Sequence, residues 1–215
     1  MMMSLFSTFD PCTGIMSLNW MSTMIFIIMT SKNMWLMKNN LNSMTNKLIM
    51  KIHLEMSNLM MMKGTTLMMI SLMTMIMWNN FMGLMPYIFT SPAHLTFSIS
   101  LALPMWSAMM AFAMNNKLKI LLAHMVPIGT PKLLLPLMVI IETISNLIRP
   151  GSLAIRLSAN MIAGHLIMSL LGNNNGAEML LLMIMFMMII LFEMAVSIIQ
   201  SYVFMTLMTL YSSEI

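Results

Sequence analysis

The sequence predicts an all-α polytopic membrane protein. Of its 215 residues, 60% are hydrophobic and 7% are charged, whereas about a quarter of a soluble domain is charged. Mean hydropathy is +0.89, and apolar runs of near-spanning length recur along the chain. Between the first two runs lies a lysine-bearing stretch that breaks the hydropathy. No hydrophilic block is large enough for a soluble domain, so residues 1–215 read as one membrane domain. The 38 Met residues stand largely where Leu, Ile or Val would be expected. That spelling fits AT-rich coding, and the flexible apolar thioether suits lipid-facing helices.

The elements follow in order. Residues 12–30 make a first span, short against the ~20 residues a bilayer needs. Residues 39–63 make an amphipathic surface helix. The stretch 31–64 around it holds Lys32, Lys38, Lys47, Lys51 and Lys63 against a single Glu55, while Leu41, Met44, Leu48, Ile52, Met56 and Leu59 recur at three- and four-residue steps. A solvated helix is the plainer alternative for it. Residues 65–114 make a membrane hairpin whose tip, Pro86 to His94, carries no Lys or Arg. By the positive-inside rule the 31–64 segment and Lys117/Lys119 share the inner side, with the N-terminus and the tip outside. Residues 120–171 and 177–212 are two long apolar runs separated by the turn "GNNNG" at 172–176. As helices they would measure roughly 75 Å and 50 Å against a bilayer core of about 30 Å. Each therefore breaks into separate spans or tilts steeply.

Polar residues inside those runs carry the chemistry, since an ionisable side chain in a membrane segment costs roughly 2.5–3.5 kcal/mol on insertion scales. At about 100° per residue, Glu142, Arg149, Arg156 and Asn160 fall within some 40° of one helix line, with Glu142 about 21 Å before Arg156. His165 lies about 180° around from Arg156 and roughly 13 Å along. On the second run Glu193, Ser197 and Gln200 share a face. Arg stays protonated and cannot relay protons, but it can repel them or hold a carboxylate. Glu and His take up and release protons. A fixed cation between titratable groups suggests two proton routes with a barrier between them. An ion pair that merely locks helices together is the plainer explanation for any single pair.

Other chemistries fit less well. The single cysteine, Cys12, excludes an internal disulfide or a Cys-based metal cluster. The net charge of +4 is modest and not interleaved with aromatics, so no nucleic-acid footprint is read. His53, His94 and His124 read as interfacial or core histidines rather than haem ligands. No phosphate-cradling glycine loop or nucleophile elbow is present, so no cofactor or metal is expected. The N-terminus has neither a secretory signal nor an Arg-rich presequence; a chain made close to its membrane, or inserted by its own helices, is expected.

"IRLSANMIAGHL" at 155–166 resembles the signature of the a-subunit family of F-type ATP synthases. The flanking "HMVPIGTPKLLLPLMVIIETISNLIRPGSLAIRL" and "FEMAVSIIQSYVFMTLMTLYSSE" agree with it, as do "FDP" near the start and "LPMW" at 103–106. The Met-rich spelling is similar to arthropod mitochondrial members. The resemblance implies an N-terminal span, a surface helix, a membrane hairpin and two long tilted helices packed against a ring of c subunits. It implies that Arg156 faces the ring carboxylates as the barrier between half-channels, with Asn160 one turn on and Gln200 opposite. It implies that His165 and Glu193 serve the intermembrane-space half-channel, and Glu142 and Glu214 the matrix-side one. At the position of Arg149 some relatives have a neutral amide, so that cation either biases the matrix-side route or is neutralised locally near Pro150.

The implied role is a stator proton-channel subunit in the mitochondrial inner membrane that binds no nucleotide itself. Its implied partners are the c-ring, the peripheral stalk, other membrane subunits and lipid, with the N-terminus in the intermembrane space and the C-terminus in the matrix. A single-chain proton-coupled transporter is the alternative, and would be marked by paired repeats that this sequence lacks. A structural subunit of a respiratory complex is a second alternative, and would leave the polar residues without a purpose.

Overall fold

The computed structural model describes residues 6–12, 18–29, 40–60, 64–116, 118–126, 131, 133–173 and 179–214; the side chains of Ile28, Met29, Leu41, Ile120, His124, Met179 and Glu214 are outside that description. Among the described residues every regular element is helical. A 3₁₀ stretch, Leu18–Met24, runs into α1, Ile25–Met29. These are followed by α2 (Asn40–Leu59), α3 (Thr65–Gly83), α4 (Leu95–Asn116), α5 (Leu118–His124), α6 (Leu135–Gly172) and α7 (Met179–Glu214). Lys32, Lys38, Lys63, Lys117 and Lys132 lie outside the described residues, as does most of the predicted 172–176 turn.

Three described helices, α4, α6 and α7, are long and apolar enough to cross a membrane. At 38 and 36 residues, α6 and α7 would measure about 57 Å and 54 Å at 1.5 Å per residue. α7 is built inside out relative to a soluble helix. Leu180, Met183, Met187, Leu191 and Phe192 are exposed, while Glu193, Ser197, Gln200 and Ser201 are buried. Apolar groups facing out and polar groups facing in is the pattern lipid favours. The buried hydroxyls are satisfied within their own helix: Ser197 Oγ donates to Met194 O and Ser201 Oγ to Ile198 O, both at 2.8 Å.

The core lies where α2, α3, α4, α6 and α7 meet. Met56, Met73, Ile76, Ala102, Leu157 and Met205 are among its buried side chains. Small residues such as Ala102 and Ala154 permit close helix approach, and unbranched Met side chains fill the irregular gaps between them.

Three features of the packing go beyond the sequence expectations. Within 65–114, α3 lies chiefly on α7, and α4 chiefly on α6. The buried side chains of α3 include three polar ones, Thr66 near its start and Asn79 and Asn80 near its end. The run 120–171 is not one helix, since α5 ends at His124 and α6 begins at Leu135. Proline removes a backbone donor and disfavours helix in the residue before it, and Pro127, Pro131 and Gly129 all fall in that interval. Within the predicted first span, the described helical run is short, seven residues of 3₁₀ followed by five of α1; residues 13–17 and 30 are outside the description.

The amphipathic stripe of α2 divides. Met56 is buried and Ile52 packs beside it, whereas Met44, Leu48 and Leu59 face outward. Only the C-terminal half of the helix is therefore anchored, with His53 Nε2 3.4 Å from Thr66 Oγ1 on α3. Gly64, at φ +109°, takes the chain into α3 through a backbone conformation that L side chains rarely adopt.

Candidate functional site: polar groups along the α6–α7 pair

α6 continues through Pro150, although proline leaves the Asn146 carbonyl without its usual helical donor. The buried positions Pro150, Leu153, Ala154, Leu157, Ser158, Met161 and Gly164 step by one and three residues. They form one seam along α6 that begins at the proline. Arg156 lies off this seam and is exposed, while Asn160, one turn on, is half-buried.

Three groupings lie along the pair. At the centre, Arg156 of α6 and Gln200 of α7 line one shallow depression, floored by Leu153, Leu157, Val203 and Phe204. Gln200 is buried, and its Oε1 has no hydrogen-bond partner among the described residues. No described carboxylate lies within ion-pair distance of Arg156. A permanent cation is thus presented on the outer face of a membrane helix, where solvation is poor and a carboxylate partner is needed.

Toward the α6 C-terminus, Glu193 of α7 is buried against Gly164. A Cβ at position 164 would overlap the Glu193 carboxylate itself, so the absence of a side chain there is what admits the acid. His165 follows directly. The ring of Phe9 meets its imidazole edge-on at 6.1 Å between centroids, and His165 Nε2 is buried with no partner among the described residues. Nearby, His94 stacks on Phe89 at 5.1 Å and against Trp20 at 5.3 Å, tying the N-terminal segment to the 84–94 connection.

Toward the α6 N-terminus, Glu142 Oε1 is 3.9 Å from Arg149 Nη2. The Arg149 guanidinium sits over the Tyr211 ring of α7, with Cζ 4.9 Å from the centroid. Arg149 is therefore engaged locally, unlike Arg156. Glu214 ends α7, but its side chain is outside the description.

The fold thus pairs Arg156 with Gln200 and brings Glu193 to the residue before His165. It keeps Glu142 apart from both, about 21 Å along α6 from Arg156. Sequence reasoning missed three partners. Gly164 had a visible signal, a glycine inside an otherwise side-chain-rich helix motif. Phe9 and Tyr211 had none, because they reach their partners from remote parts of the chain.

Among the described residues, Arg156 stands without a carboxylate partner between two separated sets of titratable groups, an arrangement suited to a proton-conducting membrane subunit. The family model described as ATP synthase A chain matches residues 13–213. The chain is 49% identical to the ATP synthase subunit a of Locusta migratoria, 50% to that of Aedes albopictus and 49% to that of Drosophila melanogaster, each over 100% of both chains. The chain belongs to the ATP synthase A chain family.

Proposed function

We propose that this chain is the stator proton-channel subunit of a rotary F-type ATP synthase, passing protons to and from the carboxylates of a c-ring. One observation carries the reading. Arg156 stands exposed beside Gln200, without a described carboxylate partner, between the Glu193/His165 grouping and the Glu142 grouping. A carboxylate on a neighbouring ring helix completes that cation. Because Arg does not release its proton, it pairs with a ring carboxylate that has lost its own and bars direct passage between the two groupings.

In this reading Glu193 and His165 deliver protons from the intermembrane space, and Glu142 with Glu214 releases them to the matrix. Asn160 and Gln200 hold the ring-facing surface beside Arg156. ATP chemistry takes place elsewhere in the complex, and this subunit contributes the ion path. The exposed apolar faces of α6 and α7, including Ile144, Ile148 and Ile155, are suited to ring helices, stalk and other membrane subunits, and lipid. The setting is the mitochondrial inner membrane, with the N-terminus toward the intermembrane space and the C-terminus toward the matrix.

Arg156→Ala in the assembled complex tests the barrier role. ATP-driven proton pumping into inner-membrane vesicles is expected to disappear, while the complex still runs intact on a native gel. Pumping at the wild-type rate would refute the assignment of Arg156.

A further inference from the structure

We infer that Arg149 and Tyr211 form a clasp that seats the last turns of α7 on α6 and holds the Glu142 carboxylate in position; its functional part rests on the matrix-side reading of Glu142. Two cations two turns apart on one helix face would compete for the same ring carboxylates. Arg149 is withdrawn from that competition. Its guanidinium reaches back along α6 to Glu142 and across to the face of Tyr211.

The pair with Glu142 would hold little alone. It spans 3.9 Å, and the two side chains keep 30% and 38% of their exposure, so solvent or headgroups screen it. Tyr211 changes this. An arginine laid over an aromatic ring gains the cation–π attraction and loses little rotamer freedom per contact, because its fork is planar. The geometry fixes the guanidinium at the one place where both partners are met.

The position along α7 matters as well. Tyr211 lies in the final turn, which ends at Glu214 and holds no basic residue of its own. A helix end frays, and its unpaired carbonyls carry partial negative charge. Arg149 brings a cation to that end from the neighbouring helix. In the same turn, Ser212 Oγ lies against Met60 Sδ, its single proton shared between that sulfur and the Thr209 carbonyl. The end of α7 is thus gripped from α6 and from the end of α2.

In this arrangement Tyr211 works through its ring face, and its hydroxyl takes no part. Tyr211→Phe keeps the face and removes the hydroxyl; Tyr211→Leu removes both. The test is made in the assembled ATP synthase in inner-membrane vesicles, reading ATP synthesis together with amide hydrogen exchange over residues 205–214. Tyr211→Leu and Arg149→Gln are each expected to accelerate exchange there by about 5- to 30-fold, the range a contact of this type supports. Each is also expected to lower synthesis by about threefold or more. Tyr211→Phe should leave both readouts at wild type, and the double variant should be no worse than the worse single one.

Unchanged exchange in Tyr211→Leu would overturn the clasp, and so would a Tyr211→Phe variant that behaves like Tyr211→Leu. Faster exchange with undiminished synthesis would overturn the positioning role. Glu142→Gln, measured alongside, then locates the fault. If it too leaves synthesis whole, the matrix-side reading of Glu142 has failed. If it abolishes synthesis, the reading stands and the clasp does not serve it.

Discussion

Replacing Gly164 by alanine adds one methyl group at the point where α6 is closest to the Glu193 carboxylate. The three atoms nearest to the added Cβ are that carboxylate's carbon and its two oxygens. The overlap is with the reacting group itself, the far end of a flexible side chain, so the methyl is accommodated by swinging the carboxylate away from its place. Two stability effects oppose each other. Alanine is favoured over glycine in a helix interior by about 1 kcal/mol, while forcing a methyl into a packed seam costs about 1–3 kcal/mol. The net change in stability is at most about 2 kcal/mol by those figures, so the complex should assemble. Function should suffer far more. Proton transfer needs heavy atoms at about 2.6–3.2 Å, and a displacement on the order of 1 Å can cost about a hundredfold in a positioned reaction. ATP synthesis and ATP-driven acidification of inner-membrane vesicles are therefore expected to fall by about 10- to 100-fold, with subunit content unchanged on native gels. Glu193→Asp in the same chain shortens the acid by one methylene and should recover part of the loss. Wild-type proton flux in Gly164→Ala would show that the location of the Glu193 carboxylate does not matter, and the delivery role would fall with it.

Two further outcomes are expected elsewhere in the fold. Asn80 is fully buried, and neither its Nδ2 nor its Oδ1 has a partner among the described residues; replacing an unpaired polar group by an apolar one of similar size removes a penalty of about 1–3 kcal/mol, so Asn80→Leu should raise the thermal dissociation midpoint of the purified complex, and a lower midpoint would mean that the amide is paired in the assembly. Met205 is 1% exposed in the core, and Met205→Ala should destabilise by about 2–5 kcal/mol, seen as reduced assembled complex at elevated growth temperature; undiminished assembly would place Met205 outside the core that holds α3 to α7.

Much of this was legible because lipid imposes simple rules. Any charge inside α6 or α7 stands out in the sequence, so Glu142, Arg156, His165 and Glu193 could be picked out with their approximate phases. What could not be read was which helix meets which. In water an amphipathic stripe shows the buried face, but most of α3 is apolar on every side, and its buried Thr66, Asn79 and Asn80 do not say whether α7 or α4 covers them. The local fate of Arg149 was hidden for a similar reason. Two arginines seven residues apart look equivalent on a helical wheel, and only the arrival of Tyr211 from the far end of the chain separates them. Gly164 was visible as a residue type, but its meaning depended on the register of α7.

The packing of α3 on α7 sets an order for making the protein. α3 is complete when less than half the chain has been synthesised, yet its chief packing partner is the last helix to be made. Until α7 arrives, Met69, Met73 and Ile76 have no such neighbour, and the Asn79–Asn80 amides are left to lipid or to whatever chaperone covers them. A chain cut short before α7 therefore loses more than its own C-terminal helix. It leaves an earlier helix with a polar end uncovered, a lesion suited to recognition by quality control before the subunit is assembled.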